Sequence, residues 1–139
     1  MDEDCPFCAI VAGDRSAHVL YEDDRTLAFL DENPATRGHA LVVPKAHCEE
    51  IVTGADENTA AVFETVSTVA DALEATVEPD GFSVFHTSGP LVGSISHTHV
   101  HVVPRYPDDG IGLSLVRDEL DDDRGAKLAT QVATNCPGG

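Results

Sequence analysis

The sequence predicts an α+β fold in which an antiparallel sheet of five strands is joined by one long helix and a short N-terminal helix. Two observations carry this prediction. Strand-like segments come mostly as neighbours along the chain, and a tight turn joins the first two. Helical segments are few, and only one of them is long. Strands that come as neighbours, rather than alternating with helices, favour an antiparallel sheet over a parallel one.

The N-terminal third predicts a helix and a hairpin. Residues 5–12 form a short helix, which Gly13 stops. Residues 18–22 and 26–30 are two strands, and the polar residues 23–25 between them form a tight turn.

Three further strands and a last helix follow. A third strand covers residues 39–43 and ends at Pro44. Later segments predict strands at 81–87 and 96–105, and a helix around 121–134.

The long helix covers residues 56–77. Its apolar side chains recur at steps of three and four residues, which is the spacing of one helix face. We therefore expect a buried face made of Phe63, Val66, Ala70, Leu73 and Val77.

The strand at 96–105 contains three histidines at alternating positions. His97, His99 and His101 are separated by Thr98 and Val100. Strand side chains alternate between faces, so the three imidazoles share one face while the valines point into a core. Imidazole titrates near neutral pH, so this row can supply a nucleophile, a proton carrier or metal ligands.

Length and charge limit the classes of protein. The 139 residues predict one domain, 1–139, with loose termini at 1–4 and 135–139. The chain has 25 acidic and 8 basic residues, a net charge of −17, which repels nucleic acid and anionic membranes, so neither is expected as a partner. Lysine is scarce, and at molar salt the screening length falls to about 3 Å. The surface is therefore typical of salt-accumulating microbes, and the protein is expected to be halophilic.

No apolar run is long enough to span a membrane, and the N-terminus is acidic where a secretory signal is basic. A cytoplasmic protein is therefore expected. Four cysteines are present, and Cys5 and Cys8 have the C-x-x-C spacing of a metal site or a redox pair. Cys48 and Cys136 have no patterned partner and are expected to be plain thiols.

A second motif precedes the histidine row. Residues 37–47 read Arg-Gly-His-Ala-Leu-Val-Val-Pro-Lys-Ala-His. With His97-x-His99-x-His101 downstream, the chain resembles the histidine triad (HIT) superfamily, whose members pair G-H-x-L-V-x-P-K-x-H with H-x-H-x-H. The resemblance covers the chain from Cys5 to about Arg105, and the ordered set of motifs is highly specific. It implies a zinc-bearing, Hint-like HIT fold that usually forms homodimers by extending the sheet across a two-fold axis.

The family consists of nucleotide hydrolases and nucleotidyl transferases whose middle histidine attacks the α-phosphate. The resemblance implies that His99 is this nucleophile and that the His97 carbonyl holds its Nδ1. It also implies that His101 and His39 contact phosphate and help the leaving group. The expected substrates are adenosine nucleotides of the phosphoramidate or dinucleoside polyphosphate type, cleaved through a covalent nucleotidyl-histidine.

Ligand sets follow from the same resemblance. Zinc-bearing members hold a structural metal with the residues that correspond to Cys5, Cys8, His47 and His97, which fill four positions. The alternative is a solvated His47 and two free cysteines. The resemblance also implies the nucleotide-binding residues. Asp31 is expected to bind the ribose, and Phe7, Phe29 and Leu30 are expected to line the base pocket. Gly93 and Ser94 are expected to contact phosphate. Phe29 is equally expected as ordinary core.

The sequence departs from the family pattern around residues 86–93. Gly93 stands where many members have a glutamine, and His86 stands where they have an asparagine. These departures put turnover in doubt, so a weakly active nucleotide-binding regulatory protein remains an alternative. A protein that binds metal directly through its His and Cys residues is the other alternative. Arg105 either steers a polyphosphate or pairs with acids, and pairing is favoured.

Overall fold

The computed structural model describes residues 5–87 and 97–137. The elements are three helices and five strands in the order α1 (Pro6–Ala12), β1 (Val19–Glu22), β2 (Thr26–Leu30), β3 (Ala40–Pro44), α2 (Glu57–Val77), β4 (Gly81–Phe85), β5 (Val100–Arg105) and α3 (Asp122–Asn135). The strands form one antiparallel sheet in the order β1-β2-β3-β5-β4. The predicted α+β fold with a five-stranded antiparallel sheet is therefore confirmed.

Local sequence explains how the helices begin and end. In α1, the Cys5 Sγ accepts the Cys8 N–H at 3.3 Å, and Gly13 closes the helix with a φ of 84°. In α2, the Asp56 carboxylate accepts backbone N–H groups of Asn58 and Thr59, and the Thr59 hydroxyl oxygen accepts the Asp56 N–H. This reciprocal capping box satisfies donors that a helix N-terminus leaves free.

The two faces of the sheet carry two apolar clusters. Helix α2 covers one face, where its Val62 and Val66 pack with residues such as Val42, Val100 and Val102. Helix α1 covers part of the other face, and its cluster is Cys5, Phe7, Cys8, Leu27, Phe29, Leu41 and Val43. Successive residues of β2 and β3 therefore alternate between the two clusters, as the pleat of a strand requires.

The predicted buried face of α2 is partly wrong. The buried apolar residues are Val62, Val66, Val69 and Leu73, and Ala70 and Val77 are partly buried against them. Phe63 instead leaves 47% of its surface exposed. The spacing Val62–Val66 is a step of four on one face, and Phe63 follows Val62 by about 100° around the helix, away from the sheet.

The histidine strand is shorter than predicted, because β5 begins at Val100. Its pairing with β3 ends where Val42 lies opposite Val100, and two positions further the same register would set Pro44 opposite Thr98. Pro44 has no N–H to continue the ladder, and the Thr98 N–H donates to the Cys48 carbonyl at 2.6 Å. His97 and His99 therefore lie on the segment that leads into the strand.

The C-terminal helix was predicted within one residue at each end, and none of its residues is buried. Among the described residues, no helix combines the length and the apolar character that crossing a membrane requires.

Candidate active site and metal site

His39 and His101 meet on the face of the sheet that α1 partly covers. The β3–β5 register sets Leu41 opposite His101, and His39 lies two residues before Leu41, on the same face. Gly38 lets the chain enter β3 here, because its φ of +92° is unfavourable for other residues and a Cβ would lie 3.2 Å from the Leu73 side chain. The glycine of the motif therefore positions the histidine that follows it.

Hydrogen bonds fix the protons on these two rings. The Ala35 N–H donates to His39 Nδ1 at 2.9 Å, so the proton of the neutral His39 ring is on Nε2. That Nε2 lies 2.9 Å from His101 Nδ1 and 3.4 Å from an Asp31 carboxylate oxygen. Since Nδ1 of His101 accepts this proton, the neutral His101 ring carries its own proton on Nε2.

Both rings are neutral at pH 7. Burial, together with the neighbouring His99 and His39 rings, lowers the pKa of His101 to about 4. Burial also lowers the pKa of His39, against the raising effect of the Asp31 carboxylate. His101 is therefore a neutral donor through Nε2–H.

His99 has the opposite arrangement. Its Nδ1 lies 2.9 Å from the backbone carbonyl oxygen of His97, as predicted. A carbonyl only accepts, so the neutral His99 ring carries its proton on Nδ1. The unshared electron pair is then on Nε2, which is the nitrogen that a nucleophile needs.

His97 is fully buried and holds its proton on the other nitrogen. Its Nε2 lies 2.8 Å from the Pro44 carbonyl oxygen, so Nε2 donates and Nδ1 keeps its electron pair. That Nδ1 lies 3.4 Å from Cys5 Sγ and 3.5 Å from Cys8 Sγ. The ring therefore offers a ligand atom to the cysteines of α1.

The four predicted metal ligands come together at this point. Ligand atoms of Cys5, Cys8, His47 and His97 all lie within 4.8 Å of one another, and Cys8 Sγ is 3.1 Å from His47 Nδ1. Tetrahedral zinc with Zn–S of about 2.3 Å and Zn–N of about 2.0 Å separates sulfur and nitrogen ligands by roughly 3.5 Å. The donor set and its spacing therefore fit zinc.

His99 and His101 open onto a cavity of about 670 Å³. Its lining includes every predicted catalytic or nucleotide-binding residue that the structure describes except the buried His39, namely His99, His101, Asp31, Phe7, Phe29 and Leu30. The Phe7 ring stands edge-on to His99 at 5.0 Å and to Phe29 at 5.6 Å. Phe7, Phe29 and Leu30 therefore form an apolar slot in the same cavity as the two imidazoles.

The HIT domain family model matches residues 12–108 of the chain. The chain belongs to the HIT domain family.

Relatives of this HIT protein agree in sequence and in structure. The chain is 35% identical over 112 residues to adenosine 5'-monophosphoramidase hnt1 of Schizosaccharomyces pombe, covering 80% of each chain. It is similar to the crystal structure of a member of the HIT family from Bacillus subtilis, with a TM-score of 0.89, 33% identity, and 99% and 100% of the two chains covered. It is also similar to a Zn-bound histidine triad family protein from Mycobacterium smegmatis, with a TM-score of 0.71, 35% identity, and 94% and 97% covered.

Phe85 and His86, which precede the histidine row in sequence, also contact the histidines of the site. His86 Nδ1 lies 3.0 Å from the His99 carbonyl oxygen, and Phe85 stacks on the His101 ring at 4.5 Å. The sequence marked His86 only as a departure from the family asparagine and gave no signal for Phe85. Both follow from the β4–β5 register, which sets Phe85 opposite His101.

Other predictions have different outcomes. Arg105 pairs with Asp109, Nε to Oδ2 at 2.7 Å, so the favoured interpretation of this arginine is confirmed. The predicted phosphate contacts Gly93 and Ser94 lie outside the described residues. The sequence did not predict that Arg15 and Glu32 line the cavity.

Proposed function

We propose that this HIT protein hydrolyses or transfers the nucleotidyl group of adenosine nucleotides, of the phosphoramidate or dinucleoside polyphosphate type, through a covalent intermediate on His99. The single observation that supports this best is the proton placement at His99. Its Nδ1–H is held by the His97 carbonyl, which leaves Nε2 of a cavity-lining ring as the nucleophile. The family membership and the phosphoramidase name of one relative point to the same chemistry.

The first step exchanges one bond to phosphorus for another. His99 Nε2 forms a bond to the α-phosphorus as the bond to the leaving group breaks, and the leaving group takes a proton from solvent water. The neutral His101 ring hydrogen-bonds the departing atom through Nε2–H, while its Nδ1 accepts the Nε2–H of His39. In the second step water or another acceptor attacks phosphorus, the N–P bond breaks, and the attacking group's proton passes to solvent, which replaces the proton used in the first step.

Binding would follow the order of groups along the cavity. Asp31, whose Oδ1 accepts the Asn33 N–H at 2.9 Å, would accept the ribose hydroxyls. Phe7, Phe29 and Leu30 would hold the base in the apolar slot. Gly93 and Ser94 remain proposed phosphate contacts.

We further propose that Cys5, Cys8, His47 and His97 hold a structural zinc. The metal would supply no step of the reaction, because four protein ligands leave no open position. It would join α1, which carries Phe7, to the segment that carries His99. The zinc named in one structural relative supports this assignment.

The direct test is to trap the intermediate. The protein is mixed with radiolabelled adenosine 5'-phosphoramidate and quenched in alkaline detergent, because phosphoramidates are acid-labile. We expect label on the wild-type chain, none on His99→Ala, and equal zinc in both proteins. Label on His99→Ala would contradict the mechanism. Loss of zinc from His99→Ala would favour a protein that binds metal directly through its histidines, and AMP binding without any turnover would favour a regulatory binding protein.

A homodimer is also proposed. Strand β4 is an edge of the sheet, and its Val84 and Phe85 each leave 47% of their surface exposed. Exposed apolar edges are typical sites of association. Sedimentation is expected to give twice the chain mass of 14.7 kDa.

A further inference from the structure

An ion pair lies on the wall of the cavity in addition to the groups used above. Arg15 and Glu32 both line the cavity, and Arg15 Nη2 lies 3.2 Å from Glu32 Oε1. The two residues come from different segments, since Arg15 follows α1 and Glu32 follows β2. The pair therefore connects two walls of the same cavity.

The Arg15 end of the pair lies beyond the C-terminal end of α1, whereas the contact of this helix with the nucleophile lies in its first turn. Phe7, in the first turn of α1, contacts His99, while Arg15 comes after the end of the same helix. The Arg15 N–H donates to the Ala9 carbonyl at 3.2 Å, which keeps it at the C-terminal end of α1. A nucleotide with its phosphate at His99 and its base beside Phe7 would therefore extend towards Arg15.

Stability does not explain the pair. Its side chains are 48% and 74% exposed, and exposed ion pairs contribute little to the free energy of unfolding. Both contacts of the guanidinium with Glu32 use Nη2, so its other N–H groups lie outside the pair. The cavity wall therefore presents a donor beside a carboxylate acceptor.

We propose that Arg15 and Glu32 recognise the hydrogen-bonding edge of the purine base. This rests on the proposed function, in which Asp31 binds the ribose and its chain neighbour Glu32 comes next along the cavity. Adenine carries an amine donor at C6 beside the ring acceptor N1, and a carboxylate next to a guanidinium complements that pair. Glu32 accepts the amine N–H, and Arg15 donates to N1.

The test compares two ligands that differ only at this edge. AMP and purine riboside 5'-monophosphate have the same ribose and phosphate, but the second lacks the C6 amine. We expect wild-type protein to bind AMP roughly five- to tenfold more tightly by calorimetry, the size of one typical hydrogen bond in net free energy. Glu32→Ala should lose this preference while keeping its affinity for purine riboside 5'-monophosphate within about twofold.

The chain offers a matched control pair. Arg25 and Glu57 lie 3.2 Å apart with side chains 50% and 73% exposed, and neither lines this cavity. Glu57→Ala removes the same charge and should leave the preference for AMP unchanged. Equal binding of both ligands by wild type would overturn the proposal.

An equal change in affinity for both ligands in Glu32→Ala would also overturn it, because the carboxylate would then act on the phosphate charge and not on the base. Failure of the base proposal is distinguishable from failure of the proposed function. Label on His99 with no amine-dependent preference would reject only the roles of Arg15 and Glu32. Absence of both label and nucleotide binding would reject the two together.

Discussion

Cys5, Cys8, His47 and His97 form a group of possible metal ligands, called the metal cluster below. This cluster and the cavity contain histidines that are two residues apart in sequence and have opposite chemistry. In both His97 and His99 a backbone carbonyl accepts a ring N–H, but from different nitrogens. The Pro44 carbonyl takes Nε2–H of His97 and leaves Nδ1 for the cysteines. The His97 carbonyl takes Nδ1–H of His99 and leaves Nε2 at the cavity. The carbonyl that each ring meets therefore determines whether the histidine is suited to bind metal or to attack phosphorus.

Burial separates the two regions further. His97 and Cys8 are almost completely buried, whereas His99 and His101 line the cavity. A buried cluster of thiols and imidazoles suits a closed metal site, and an open pair of imidazoles suits a substrate. The two regions should therefore respond differently to the same kind of substitution.

The largest expected effect is on the metal cluster. Cys8→Ala should lose zinc, because one of four ligands is removed, and the melting temperature should fall by roughly 10 °C for a loss of about 3 kcal/mol. Metal analysis and calorimetry on the same samples measure this. The matched control is Cys136→Ala, since Cys136 is exposed and outside the cluster. Full zinc content in Cys8→Ala would contradict the assigned ligand set.

Most elements of the fold and the four residues of the metal cluster could be predicted from the sequence, because periodic patterns and spaced motifs are local. Strand β2 was predicted at its observed bounds, and α1 and α2 were each predicted within one residue, since caps such as Gly13 and Asp56 act on neighbouring residues. The four cluster residues were named from the family resemblance, and the structure brings them together.

The rest depended on contacts between distant segments. The early end of the β3–β5 ladder depends on Pro44, which has no N–H, and on Thr98, 54 positions later, whose N–H donates to the Cys48 carbonyl. The exposure of Phe63 depends on which way α2 is turned against the sheet. Neither the stacking of Phe85 on His101 nor the Arg15–Glu32 pair has a sequence pattern of its own, because each is set by register or loop geometry.

A smaller effect is expected on the pH dependence of stability. The folded pKa of His101 is about 4, below the ordinary value of 6.5 that applies to the unfolded chain. Between these values the unfolded chain binds more protons, so the free energy of unfolding falls as the pH falls from about 6.5 to about 4. His101→Gln should reduce the loss between pH 7 and pH 5 by about 1–2 kcal/mol, measured by urea unfolding with zinc present.

The control for this pH effect is His18→Gln, since His18 is an exposed imidazole that also lines the cavity. This variant should keep the wild-type pH dependence. Part of the dependence should also survive in His101→Gln, because burial lowers the pKa of His39 as well. An unchanged pH dependence in His101→Gln would mean that the ring does not have the depressed pKa on which its role as a neutral donor depends.

The smallest expected effect is that of salt, and it should act on the cavity and leave the metal cluster unchanged. A net charge of −17 repels a phosphate-bearing substrate in dilute buffer, and molar salt reduces the screening length to about 3 Å. Activity should therefore rise from 0.1 to 2 M KCl, mainly through a severalfold fall in KM, because screening assists substrate approach rather than bond cleavage.

Uncharged adenosine is the control ligand, and its affinity should not follow the KM. Far-UV circular dichroism identifies the salt range in which the chain is folded. A flat or falling activity profile across that range would contradict the halophilic interpretation, and parallel changes for adenosine would mean that salt acts on the fold of the cavity instead of on the charge of the substrate.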